Sequence, residues 1–300
     1  MNARYAADLE TILGRRHQNG ADYWATPDGR VYVGSPFSTL GALGMLHELG
    51  VRRSHEGVRG GLRLILDAWR DDGRIRLAPD APLYPCYTAE AARVLCRYGY
   101  SSDRRVQKTA THLLEDAHES GGWRCNYTKF GRGPETRVAN PGATLFALDV
   151  LRFTGHAGAG RVVDDAVRSL LVHWETRKRC GPCHYGIGPR FMKVEYPFLR
   201  YNLFYFVYVL SHYPAAAGDA RFRAAAATLA SRLDAEGRLI VEAPHRGLKG
   251  LTFCARGEPS ELATMRYREI VANLGAPPGR PFRESSTVAR RGSCRRPREG

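Results

Sequence analysis

Asn140-Pro-Gly-Ala-Thr-Leu-Phe-Ala-Leu-Asp-Val-Leu-Arg-Phe-Thr-Gly155 is the stretch from which the architecture can be read. A proline in the first turn and a glycine just past the end bracket a run that is apolar around most of its circumference. That is the pattern of a capped, buried helix. The unit recurs. Prolines at 36, 85, 141, 197 and 259 each lead an apolar run, at separations of 49, 56, 56 and 62 residues. Gly50, Gly99 and Gly155 each follow their proline by 14 residues, and Pro214 and Gly275 close the last two runs slightly later. Amphipathic stretches lie between them, at about 5–16, 58–70, 105–118, 162–175 and 221–233. In the second of these, Leu62, Leu64, Ile65, Ala68 and Trp69 share one face while Arg63, Arg70 and Asp71 look away. Turn signals Asp72-Gly73, Gly121-Gly122 and Glu236-Gly237 follow three of them, and Asp28-Gly29 follows the first less directly.

A buried helix paired with an amphipathic one, repeated about five times, predicts an all-α fold. The expected form is an α/α toroid over 1–275, with an inner ring of parallel helices and outer helices returning the chain. An open solenoid is the alternative, but it needs polar capping faces, and the fourth inner run carries Phe204, Tyr205, Phe206 and Tyr208. Strand signals are confined to 30–33 and 239–241, read as short hairpin pieces within loops.

The composition, 43% hydrophobic and 25% charged over 300 residues, excludes a disordered or fibrous chain. No apolar run reaches the roughly 18–20 residues of a membrane span; the longest is 203–210. The charged first 15 residues carry no hydrophobic segment, so a cytoplasmic location is expected. Seven cysteines, an odd number, read as thiols or ligands rather than bridges. The net charge is +15. Seven arginines against two glutamates fall in 276–300, expected to be a basic, disordered tail. The remaining positive charge is spread out and accompanied by no recognition motif, so nucleic acid is not the expected partner.

Parallel inner helices begin at one rim, so the loops before them converge on a single mouth lined by helix N-termini. The two longest loops are 121–140 and 177–196. Cys86, Cys125, Cys180, Cys183 and His184 are placed to reach that mouth. Cys125, Cys183 and His184, with Cys86 as a fourth ligand or a nearby thiol, form a chemically sensible zinc set. Two other readings of the thiols are structural packing and a metal-free reactive Cys86 at a helix start. Cys96 and Cys254 read as core, and Cys294 as a free thiol. Glu135, Glu195 and Tyr201 are the candidate catalytic groups. Arg132, Arg137 and Arg190, helped by Lys193, could clamp an anionic group such as a diphosphate, with Asn140 beside them. Tyr196 and Phe198 could line an apolar pocket or simply fill the core.

The repeated helix pairs, the Gly-Gly-Trp before an inner helix, Pro85-Cys86-Tyr87-Thr88, Gly121-Gly122-Trp123-Arg124-Cys125 and Glu258-Pro259-Ser260-Glu261 resemble the terpenoid-cyclase and protein-prenyltransferase superfamily. The likeness runs over about 36–274 and is narrowest to a bacterial prenyltransferase-like, squalene-cyclase-like branch. It implies transfer or cyclisation chemistry on a hydrophobic isoprenoid-like substrate or a thiol-bearing peptide, with zinc at the rim in some members. The Cys183-His184-Tyr185-Gly186 segment is similar to the Cys-His-Gly ligands of lanthionine-forming cyclases. The departures are specific. Asp164-Asp165 does not make the Asp-x-Asp-Asp acid motif, Asp71-Asp72 lacks a third carboxylate for diphosphate-bound magnesium, and the Asp-x-Cys pair is absent. The chain also has room for one barrel, which disfavours a conventional squalene cyclase. Two other functions are open: an α/α-barrel glycoside hydrolase using Glu135 and Glu195, which requires them about 5–10 Å apart, and a non-catalytic toroid that binds lipid or peptide.

Overall fold

A computed structural model describes residues 3–125, 127–156 and 160–275; the expected tail, with Cys294, lies outside the described residues. The helices are α1 (Ala6–Gly14), α2 (Thr39–Glu48), α3 (Glu56–Asp67), α4 (Pro85–Leu95), α5 (Arg104–Glu115), α6 (Pro141–Leu151), α7 (Arg161–Thr176), α8 (Leu203–Leu210), α9 (Pro214–Ala217), α10 (Ala220–Ala230) and α11 (Glu261–Gly275). Among the described residues there is no strand, only four isolated bridges. The fold is all-α.

The helices that are apolar all round go inside. Every residue of α8 is buried, and α6 buries all but Phe146. Successive inner helices α2, α4, α6, α8 and α11 pack against one another; α3 and α5 each bridge two of them from outside, while α7 packs on α6, α9 and α10. Helix α3 buries Val58, Leu62 and Ile65 and leaves Arg59 and Arg63 in solvent. The ring closes where Arg266 of α11 reaches Glu48 of α2, 2.8 Å from Nε to Oε2.

The loops at the N-terminal ends of the inner helices close a second circle. Val31 N–H donates to Leu77 O, and the Tyr84 and Tyr127 rings meet at 5.2 Å. Phe130 N–H donates to Pro182 O, and Glu242 N–H to Val194 O, both at 2.9 Å. The loop at Gly247 then packs so closely on Pro36 that a Cβ there would fall 2.7 Å from the proline ring. A closed toroid, not an open solenoid, is what these contacts describe.

Two expectations need correction. Among the inner helices, proline opens only α4 and α6 directly. Helix α2 starts three residues after Pro36, where the Ser38 side chain accepts from Gly41 N–H, and α8 starts six after Pro197, where Asn202 accepts from Tyr205 N–H. A side-chain acceptor for the orphan N–H groups decided those starts, not the proline. The segment 30–33 is not a strand, because its backbone bonds go to scattered partners (Val31 N–H to Leu77 O, Val31 O from Leu40 N–H, Arg30 O from Thr26 N–H) and form no ladder. Residues 239–241 contribute only the isolated pairs Leu233–Leu239 and Ile240–Pro259.

The opposite, C-terminal end of the ring is filled by buried charge. Asp149 accepts from Arg152 Nε at 2.6 Å, Arg97 Nη2 at 3.1 Å and Tyr205 OH at 2.7 Å. Arg97 also pairs with Glu48 at 3.5 Å, and Glu48 accepts from Tyr196 OH at 2.6 Å. Burial opposes ionisation of both carboxyls, but the arginines overcome it and hold both below the usual carboxylate range.

Candidate active site at the N-terminal rim

Three of the expected thiols meet. Cys86 occupies the second position of α4, one of the inner-helix starts. Cys125 is placed by an anchored turn. Gly122 has φ +108°, and a Cβ there would lie 2.3 Å from Thr144 Oγ1, so the position takes only glycine. Trp123 N–H then donates to Thr144 Oγ1 at 3.1 Å and its indole N–H to Leu113 O at 2.6 Å. Cys183 sits in a tight turn held by reciprocal Cys180–Tyr185 backbone bonds of 2.9 and 3.1 Å, tied to the neighbouring loop by Gly181 N–H to Glu135 O.

Together Cys86, Cys125 and Cys183 line a cavity of about 550 Å³ whose walls are Tyr32, Tyr84, Tyr87 and Tyr185. That volume suits a small molecule. Three of the tyrosines form a continuous surface, with Tyr32–Tyr87 and Tyr84–Tyr87 ring centroids 4.8 and 5.0 Å apart. Gly142, at the start of α6, lets the Tyr185 ring lie against the helix, since a Cβ there would come within 2.9 Å of it.

The thiols are not equivalent. Cys125 accepts a hydrogen bond from the Cys183 thiol and another from Thr128 N–H at 3.3 Å, which lowers its pKa. The same bond keeps the Cys183 proton in place and raises its pKa, against a lowering bond from Asn140. Burial pushes Cys86 up to about 12, so the thiol expected to react at a helix start is the neutral one. Of the three thiols, Cys125 is the one whose pKa is lowered. One turn along α4 from Cys86, burial raises Glu90 although Arg93 opposes it from 3.7 Å.

His184 does not join the thiols. It adopts φ +51°, its Nε2 lies 3.5 Å from Glu135 Oε1, and it packs so closely on Gly131 that a Cβ there would meet Nε2 at 2.0 Å. Among the described residues no group of three or more His, Cys, Asp or Glu side chains is arranged to hold a metal ion. The donor set expected for zinc is therefore not gathered as Cys125, Cys183, His184 and Cys86 among the described residues.

The remaining expected residues are dispersed. Glu195 is buried and accepts from Arg200 Nε at 2.7 Å; burial raises its pKa and Arg200 resists. Tyr201 hydrogen-bonds His173 Nδ1 at 2.9 Å, on a histidine whose other nitrogen faces the Lys178 and Tyr185 carbonyls. Asn140 caps α6 by accepting from Gly142 and Ala143 N–H. Arg132, Arg137 and Arg190 are exposed on the rim loops. Tyr196 and Phe198 are core. The first bonds Glu48, and the second stacks on Tyr208 with centroids 4.9 Å apart. Sequence reasoning missed the tyrosine wall. Its signal was present, because Tyr87 stands beside Cys86, Tyr185 stands beside His184 and two residues after Cys183, and Tyr84 lies two residues before Cys86.

No family model and no curated protein matches the chain. Among solved structures, a protein from Actinoplanes is 19% identical over 90% of this chain and 83% of its own, with a TM-score of 0.42. A type II terpene cyclase from Scytonema, MstE, solved with geranylgeranyl dihydroxybenzoate, is 13% identical over 89% of this chain and 79% of its own, at 0.41. A second variant of the same cyclase gives 14%, 90%, 82% and 0.40. The functional reading rests on the site's own chemistry.

Proposed function

We propose that the protein transforms a hydrophobic, isoprenoid-like small molecule in the rim cavity, with Cys125 acting as a metal-free thiolate nucleophile. The observation that carries this reading is the convergence of a hydrogen-bonded thiol pair with four tyrosine walls in one cavity of about 550 Å³. Aromatic faces pack against a polyene and favour positive charge developing on it. Cys125 faces that charge as an anion. Attack on an allylic carbon that carries an oxygen leaving group, such as a diphosphate, forms the S–C bond as the C–O bond breaks and the diphosphate departs with the bonding pair, while the Cys183 side chain and Thr128 N–H hold the sulfur in place. The glycosidase reading lacks its carboxylate pair in the cavity: Glu195 is closed off by Arg200, Glu135 faces His184, and neither lines the walls.

The test is alkylation of the full chain by iodoacetamide at pH 6.5, with the adduct located by mass spectrometry. Cys125 is expected to label first, and a saturating isoprenoid alcohol to slow it several-fold. An inert Cys125, or labelling that the alcohol leaves unchanged, overturns the proposal.

A further inference from the structure

The rim loops carry charge that the cavity chemistry does not use. Segments 119–140 and 177–200 hold ten lysines and arginines against three acidic residues. Glu195 is committed to Arg200, and Glu135 faces His184. Lys129, Arg132, Arg137, Arg190 and Lys193 are exposed, and among the described residues none has a carboxylate within salt-bridge distance. On an ordinary protein surface charges of both signs alternate; here one sign is collected at one end of the ring.

The same loop that carries Lys129 and Arg132 exposes aromatic surface. Phe130 is 73% exposed and Tyr127 54%, the two largest exposures among the described large hydrophobic residues. Phe130 also belongs to the cavity lining, so the protruding ring is the lip of the mouth. An exposed phenylalanine at a cavity entrance, flanked by unpaired cations, is matched by a surface that is anionic outside and apolar just beneath. We propose that the rim docks on an anionic phospholipid bilayer, with Phe130 and Tyr127 at the headgroup–acyl boundary and the lysines and arginines on the phosphates. No helix among the described residues is long and apolar enough to cross a membrane, so docking is peripheral. The mouth then opens toward the acyl region, and a water-insoluble substrate enters without crossing solvent. This last point rests on the proposed function; the docking itself rests on the rim.

Vesicle flotation of the full chain tests the proposal, with phosphatidylglycerol–phosphatidylcholine vesicles compared with phosphatidylcholine alone. Binding is expected to the anionic vesicles, to fall in 0.5 M salt, and to weaken on Phe130→Ser. Lys129→Gln with Lys193→Gln is expected to lower partitioning roughly 25-fold, at about fivefold per cation. Arg290→Gln with Arg291→Gln, in segment 276–300, serves as the comparison. The proposal falls if neutral vesicles bind equally well, if none bind, or if only the arginine pair matters. It also falls if polyglutamate binds the rim and vesicles do not, which assigns the surface to an acidic protein. A chain that alkylates at Cys125 without floating removes the docking and leaves the thiol site. One that floats with an inert Cys125 removes the thiol chemistry alone.

Discussion

At Cys125 the decisive quantity is what the sulfur accepts. Cys86, Cys180 and Cys254 are pushed up to about 12, 11 and 12 chiefly by burial, and all three stay protonated at neutral pH. Cys125 is also buried, yet a thiol donor and a backbone N–H outweigh that burial. Its alkylation rate is expected to stay nearly flat from pH 8 down to pH 6.5, where an ordinary thiol loses about tenfold per unit. Cys183→Ala removes the main donor, so the rate at pH 6.5 should fall about tenfold while the rate at pH 9 changes little. Stopped-flow thiol labelling across that range checks it, and a uniform loss at all pH values would point to disordered packing instead.

At the level of elements, the helix starts position the site. Asn140 satisfies two N–H groups at the head of α6, the helix whose start lies against the Tyr185 ring of the cavity. Asn140→Ala is expected to lower stability by about 1 kcal/mol through the lost cap. A urea unfolding curve checks it. Thr88, Thr144 and Thr264, each buried in the first turns of an inner helix, accept the backbone N–H of Ile75, Trp123 and Leu239 respectively. The incoming turn is thus fastened to the inner helix by the same bond in three repeats. That recurrence explains how a ring built from unequal loops keeps its rim in register.

For the whole molecule, the two ends of the ring divide the work. The C-terminal end is sealed by Glu48, Arg97, Asp149, Arg152 and Arg266; the N-terminal end stays open and holds the thiols. Asp149 is fully buried among arginines, and Asp149→Asn leaves their charge uncompensated. The expected loss is about 3–5 kcal/mol, measured by chemical denaturation at pH 7. The folded-state pKa values of Asp149 and Glu48 are depressed, so their stabilisation is complete above about pH 5 and is withdrawn as acid titrates toward those lower values. The wild-type midpoint should therefore drop more between pH 5 and pH 3 than that of Asp149→Asn.

The local sequence determined the five buried helices, their amphipathic partners and the shared rim, because helical period, proline–glycine punctuation and cap residues act within a turn or two. It also brought Cys86, Cys125 and Cys183 to one end. It did not decide which aromatic rings face the mouth, and Tyr196 and Phe198 entered the core while Tyr84, Tyr87 and Tyr185 built the wall. Rotation of a segment about its own axis is set by what packs against it, and that information lies in distant loops. His184 turned toward Glu135, and Glu48 met Arg97 and Arg266, through contacts between segments far apart in the chain. Only the tertiary structure, by closing the ring, decided which cysteine has its pKa lowered, because a thiol's acidity is set by its neighbours and not by its own position.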